Sequence, residues 1–206
     1  MSTEIRKALE KELLARFEQT ASSRPHLKAG KNKLSLVAAK EKLGEIYIQH
    51  LRNADGYYAG LEIHACEALN FCKSQSPPYP SRLTNASCMS KTSLSEEAKS
   101  FGDELGGIIR IPPFQEAAST ATKINDRIVK FYLPKAENCI LGTTSLIEDI
   151  LVEPSNYAYP FLTSLYVAHK NGLDLSSDLF HEVLSTKAVF GNKNFDVALA
   201  NELLKS

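Results

Sequence analysis

The chain has 206 residues, 43% hydrophobic and 23% charged, and its 24 basic side chains balance 24 acidic ones for a formal net charge of zero. That length can bury a substantial core, and the ordinary composition excludes a wholly disordered chain, a collagen-like repeat and a disulfide scaffold. Neutral charge gives no general attraction to nucleic acid or anionic membranes, and no run comes near the roughly 20 apolar residues of a membrane span.

Ile5, Leu9, Leu13 and Phe17 recur every four residues among charged ones, an apolar stripe that predicts a first helix. It stops at Thr20-Ala21-Ser22-Ser23-Arg24-Pro25, where proline and small polar residues favour a turn. A second helix is expected from about Lys33 to Leu51, burying Leu36, Leu43, Tyr47 and Leu51. A third follows Asn53-Ala54-Asp55-Gly56 and carries Tyr57, Leu61, Ala65, Ala68, Leu69 and Cys72 at helical spacing. The prolines of Ser76-Pro77-Pro78-Tyr79-Pro80 end it, since proline lacks the amide donor and biases the preceding residue away from helix. Residues 75–92 read as a Pro/Ser-rich loop, followed by a short helix from Ser93 to Leu105.

The centre changes period. Ile108-Ile109-Arg110-Ile111 is β-branched and ends at Pro112-Pro113, as a strand would. Asp126 to Leu133 alternates, with Val129, Phe131 and Leu133 on one face, and predicts a second strand. Cys139-Ile140-Leu141 is a candidate third. Helices are then expected over Thr144–Val152, Tyr157–Lys170, Ser177–Thr186 and Asn194–Leu204, with Gly172 as an end signal and Ser177 or Asp178 as a cap. The expected fold is α+β, a helix-rich single domain with a small central β-sheet. It comprises a helical region 1–74, the loop 75–92, and an α+β region 93–206 packed with the first as one unit.

Met1 to Lys7 leads into charged helix-like sequence without an apolar signal region. Cys66, Cys72, Cys88 and Cys139 show no Cys-x-x-Cys metal spacing and suit reduced thiols, so no metal site is expected. The cytoplasm fits, whether of the producing cell or of a host that receives the chain without a cleaved signal peptide.

The zero total conceals a segregation. Arg24, Lys28, Lys31, Lys33, Lys40 and Lys42 oppose only Glu41, whereas acidic residues dominate from Glu137 to Glu182. Lys28, Lys31, Lys33, Lys40 and Lys42 are therefore the candidate binding residues, for an acidic protein or for phosphoinositide headgroups in peripheral membrane contact. The run lacks Phe, Tyr and Trp, which disfavours single-stranded nucleic acid.

Three constellations could carry chemistry. Glu62-Ile63-His64-Ala65-Cys66-Glu67 has suitable residue types, but on a helix positions two apart point roughly 200° apart. His64 and Cys66 would then face apart, Glu62 and Cys66 would share a face, and a buried structural cysteine is the plainer reading. Cys88 lies in a polar segment ahead of the expected Ser93 helix. Helix amides and Lys91 would favour its thiolate, which makes it the candidate nucleophile of a cysteine-dependent hydrolase.

The third constellation is Thr92-Ser93-Leu94-Ser95-Glu96-Glu97-Ala98-Lys99-Ser100-Phe101 followed by Gly107-Ile108-Ile109-Arg110-Ile111, with Glu148-Asp149-Ile150-Leu151-Val152-Glu153-Pro154 further on. It resembles the Ser-Thr-Ser, helix and strand block and the acidic motif of ADP-ribosyltransferase toxins. The resemblance implies NAD as cofactor, Ser93 as a supporting residue, and Glu148 or Asp149 as the carboxylate that stabilises the oxocarbenium-like ribose. The stretch where the family's anchoring Arg or His is sought has Ala59 instead, and Ser93 with Glu96 also reads as a helix capping box. In style, His26 to Leu43 and the ending Asn201-Glu202-Leu203-Leu204-Lys205-Ser206 are similar to secreted effectors of intracellular bacterial pathogens. The leading expectation is a helix-rich protein–protein interaction module, an effector or adaptor that needs no cofactor.

Overall fold

The computed structural model describes residues 3–52, 56–64, 66–92 and 108–204. In chain order the elements are α1 (Thr3–Ser22), β1 (Leu27–Gly30), β2 (Lys33–Ala38), β3 (Glu41–Leu51), β4 (Gly56–Ile63), α2 (Glu67–Ser74), β5 (Ser90–Lys91) and β6 (Ile109–Arg110). They are followed by α3 (Ala117–Arg127), α4 (Leu133–Leu141), α5 (Ser145–Val152), α6 (Pro160–Lys170), α7 (Asp178–Ser185) and α8 (Lys193–Leu203). The fold is α+β, with an antiparallel sheet and a helix-rich remainder. Among the described residues no helix is long and apolar enough to cross a membrane. The chain divides into two compact units, Met1–Glu62 with Thr92–Pro134, and Ile63–Lys91 with Lys135–Ser206. This interleaved division differs from the expected succession of 1–74, 75–92 and 93–206.

In the first unit the strand order is β1-β2-β3-β4, and β6 pairs with β4 through Gly56 opposite Arg110 and Tyr57 opposite Ile109. The first helix stands as expected, with Leu9, Leu13 and Phe17 buried. The expected second helix is instead the hairpin β2–β3. Leu34, Leu36, Gly44, Ile46 and Ile48 are buried on one face, with Lys33, Ser35, Glu45 and Tyr47 on the other. Both central residues of its two-residue turn, Ala39 (φ 48°) and Lys40 (φ 75°), are left-handed. Asn and Gly usually supply that geometry, so the sequence carries no turn signal here. The expected third helix splits into β4, which buries Tyr57, Ala59, Leu61 and Ile63, and the short α2.

The strand at Ile108–Ile111 is present as β6. The one expected over Asp126–Leu133 is helical. Ile124, Ile128 and Tyr132, each four residues from the next, are buried, as is Leu133. A π-turn closes at the Leu133 N–H to Ile128 C=O bond just before Pro134, whose ring nitrogen can donate no helical bond. Cys139-Ile140-Leu141 likewise belongs to helix, in α4. The helix expected at Ser93–Leu105 lies outside the described residues.

In the second unit the four late helices appear near their expected places. Ser177 caps α7 through the Phe180 amide, and Gly172 (φ 69°) follows the end of α6. The proline-rich loop is held by polar anchors. Buried Asp196 accepts from the Tyr79 hydroxyl and from the Gly191 and Asn192 amides at 3.0 and 3.1 Å. Arg82 donates to the Ala188 and Phe190 carbonyls at 2.6 and 2.9 Å.

Two stability measurements test this layout. Ile46→Ala in β3 should cost about 2–5 kcal/mol in denaturant unfolding, and exposed Glu41→Ala about 0.5 kcal/mol or less. A Cβ on Gly191 would lie 2.0 Å from the Tyr79 ring. Gly191→Ala should therefore displace the ring from Asp196 and cost about 1–3 kcal/mol.

Candidate functional site

The β-meander of the first unit places most of the lysines singled out in the sequence. Lys28 lies opposite Ser35, and Ser35 opposite Glu45, while Lys33 lies opposite Tyr47. Directly paired residues share a sheet face, so these form two adjacent rows on the face away from Leu34, Leu36 and Ile46. Tyr58 of β4 extends the second row. Its ring meets that of Tyr47 edge-on at 6.1 Å, and its hydroxyl donates to Gln49.

Lys42 reaches the same face through a bulge. The register passes from Leu36 opposite Gly44 to Val37 opposite Lys42, which leaves Leu43 as the extra residue. Residues three apart in a regular strand point to opposite faces, and the added residue restores Lys42 to the side of Glu45. Lys42 and Lys33 then converge on Glu45 Oε2 at 2.6 and 3.2 Å. Burial opposes the Glu45 charge, but the bonds from Lys42 and Lys33 outweigh it and hold the carboxyl below its ordinary value. One carboxylate thus answers two ammonium groups, and Lys28 adds a third cation that has no ion-pair partner among the described residues.

Lys31 and Lys40 sit at the hairpin turns. Lys31 Nζ lies 3.3 Å from Glu10 Oε2, while Glu10 Oε1 accepts from the Tyr57 hydroxyl at 2.9 Å and lies 3.6 Å from Arg6 Nε. Burial opposes ionisation of Glu10, but Tyr57 and then Lys31 outweigh it and lower the carboxyl. The Lys31 charge is thereby tied to α1, which leaves Lys28, Lys33 and Lys42 as the cations of the open face. Lys40 is exposed at the tip of the β2–β3 turn.

The expected chemical residues divide. Ser93 lies outside the described residues. Glu148 is exposed on α5, and its neighbour Asp149 is half-buried. Burial raises the Asp149 carboxyl above its ordinary value, opposed by Lys135 and by Asn138, which donates to it at 3.5 Å. The pair lies within a helix and not ahead of a strand, unlike the acidic motif it was compared with. Cys88 is buried, and its Sγ donates toward the Ile63 and Ser90 carbonyls at 3.4 and 3.3 Å. In the stretch from Glu62 to Glu67, Ile63 ends β4 and Cys66 is the N-cap of α2, so the helical-face argument for Glu62 and Cys66 does not apply.

Tyr47 and Tyr58 are expected on helices from the sequence, although the alternation of Glu45, Tyr47 and Gln49 with Ile46 and Ile48 is the signal of the strand that sets the two rings side by side.

Glu10 gives the α1 side of this unit a pH signature. A carboxyl lowered on folding adds stability above its unfolded value and loses it as pH falls through the folded one. Tyr57→Phe should cost about 1–2 kcal/mol at neutral pH, and the deficit should narrow below about pH 4 as Glu10 protonates. Urea titrations from pH 7 to pH 3 measure both.

Compared with protein-family models, curated proteins and solved structures, the chain matches none of them.

Proposed function

We propose that the protein is an interaction module that binds an acidic protein segment on the outer face of the β2–β3–β4 sheet. The observation that carries this reading is the pair of rows Lys28–Ser35–Glu45 and Lys33–Tyr47–Tyr58, with Lys42 brought onto the same face by the bulge. Lys28, Lys33 and Lys42 against Glu45 and Glu62 leave a net positive charge that attracts carboxylates. The two half-buried tyrosine rings supply apolar contact area with polar tips, a combination enriched at protein interfaces. Long-range attraction would speed encounter, and the rings would set how long the partner stays.

The sheet replaces the helical surfaces on which this function was expected, while the charge argument is unchanged. NAD-dependent transfer through Ser93 and Glu148 or Asp149 requires a pocket that joins those residues, and the lysine face requires nothing beyond the residues named.

The test is fluorescence anisotropy with a labelled glutamate-rich peptide at rising salt. Binding should weaken steadily between 50 and 300 mM salt as screening grows. Lys28→Glu combined with Lys33→Glu should weaken it at least about tenfold, or about 1.4 kcal/mol. Lys187→Glu, in the second unit, should leave it unchanged. Equal binding by the lysine variant, or no response to salt, overturns the reading. NAD-dependent labelling of a lysate protein that is lost in Glu148→Gln would replace it with the enzymatic one.

A further inference from the structure

β1 ends the strand order, and among the described residues it pairs only with β2. One bond fixes which of its backbone groups the ladder uses. The Val37 amide donates to the His26 carbonyl at 2.8 Å, which makes His26 and Val37 a hydrogen-bonded pair. Pair types alternate along an antiparallel ladder, so Lys28 with Ser35 and Gly30 with Lys33 are the next such pairs. Leu27 and Ala29 turn their backbone groups away from β2. The Leu27 amide is taken by the Arg24 carbonyl at 2.9 Å. The Leu27 carbonyl and both the amide and the carbonyl of Ala29 therefore face the open edge.

The lysine face runs up to this edge. Lys28 is exposed and ends the row Lys28–Ser35–Glu45. Gly30 carries no side chain, and a Cβ there would lie 3.4 Å from Lys33 Cγ. The Lys33 stem thus lies against bare backbone, with no side chain of its row between it and the edge. A second copy of this chain paired edge to edge would set lysines against lysines, which charge repulsion opposes. The charge that suits this edge is negative.

We propose that an acidic extended segment of the partner joins the sheet as a further strand, antiparallel to β1. This rests on the reading of the lysine face as the site of an acidic segment, and it specifies how that segment is held. The added backbone bonds to the free groups of Leu27 and Ala29. Directly opposite residues share a face, so a residue opposite Lys28 stands on the lysine face, in the pair type that brings side chains closer. A carboxylate there meets Lys28. A second one, two residues along and opposite Gly30, meets the long Lys33 side chain across the bare glycine. The residues between them point to the side of Leu27 and α1 and carry the amides that bond to β1.

The experiment is fluorescence anisotropy with the full-length chain and a labelled peptide of alternating glutamate and valine, compared with two N-methylated forms. With glutamates opposite Lys28 and Gly30, the valine amides face β1 and the glutamate amides face away. N-methylation of the valines should weaken binding at least about tenfold, and that of the glutamates less than about twofold. Ala29→Pro removes an edge amide that the β1–β2 ladder does not use, and should weaken the parent peptide at least about threefold. The peptide comparison decides alone should Ala29→Pro fail to fold. The proposal fails if the valine-methylated peptide binds as the parent does, or if both methylated forms weaken equally. If salt and the Lys28→Glu, Lys33→Glu variant still weaken the parent in that case, the segment lies across the face without a backbone ladder, and only this inference falls. A parent peptide whose binding ignores salt and those lysines overturns both.

Discussion

One-sided burial of the β-meander is the constraint on which the first unit depends. Leu34, Leu36, Ile46, Ile48, Tyr57 and Leu61 are almost completely enclosed, as are Leu9, Leu13 and Phe17 of α1, which packs on β1 and β2. Fully burying each such side chain contributes about 1.5–3 kcal/mol, whereas a surface ion pair such as Lys33–Glu45 contributes about 0–1 kcal/mol. The core therefore sets the register, and the ion pairs follow it. A slip of one residue would turn Lys33, Ser35 and Glu45 inward together, at a cost no surface pairing could offset. The lysine face is a consequence of where the leucines must go.

The Leu43 bulge and the Glu10 cluster refine that arrangement. The bulge lets Gly44 stay in the core row while Lys42 joins Glu45 on the opposite side. Glu10 gathers Lys31, Tyr57 and Arg6, so a helix, a hairpin turn and an inner strand share one carboxylate. Charge in this unit thus serves two purposes. Lys31 holds α1 against the sheet, and Lys28, Lys33 and Lys42 leave net positive charge on the open face.

The second unit is organised by buried polar groups that satisfy one another. Asp196 is fully enclosed and accepts from Tyr79 and two backbone amides, which offsets the desolvation that raises its carboxyl. The missing side chain at Gly191 makes room for the Tyr79 ring that supplies one of these donors. Buried thiols follow the same rule: Cys72 Sγ lies 3.7 Å from Thr163 Oγ1, and Cys88 Sγ donates toward two backbone carbonyls.

The sequence by itself determined α1, the late helices, the Ser177 cap and the Gly172 helix end. Each of these is decided by neighbours a few residues away: an apolar stripe, a hydroxyl, a glycine free to take positive φ. It also marked the lysine run, since charge segregation is visible in one dimension. Only the tertiary structure decided that residues 33–51 pair as strands and that 126–133 wind as helix. Leu36, Leu43 and Tyr47 suit helical spacing while Leu34, Leu36, Ile46 and Ile48 suit alternation, and the tertiary packing that buries the second set, with α1 against β2, settles the choice. The turn at Ala39-Lys40 gave no warning, because strand pairing imposes its left-handed backbone on residues that do not prefer it. The rows of lysine and tyrosine belong to the same category. They depend on residues from different strands, which meet only once burial of the core has fixed the register.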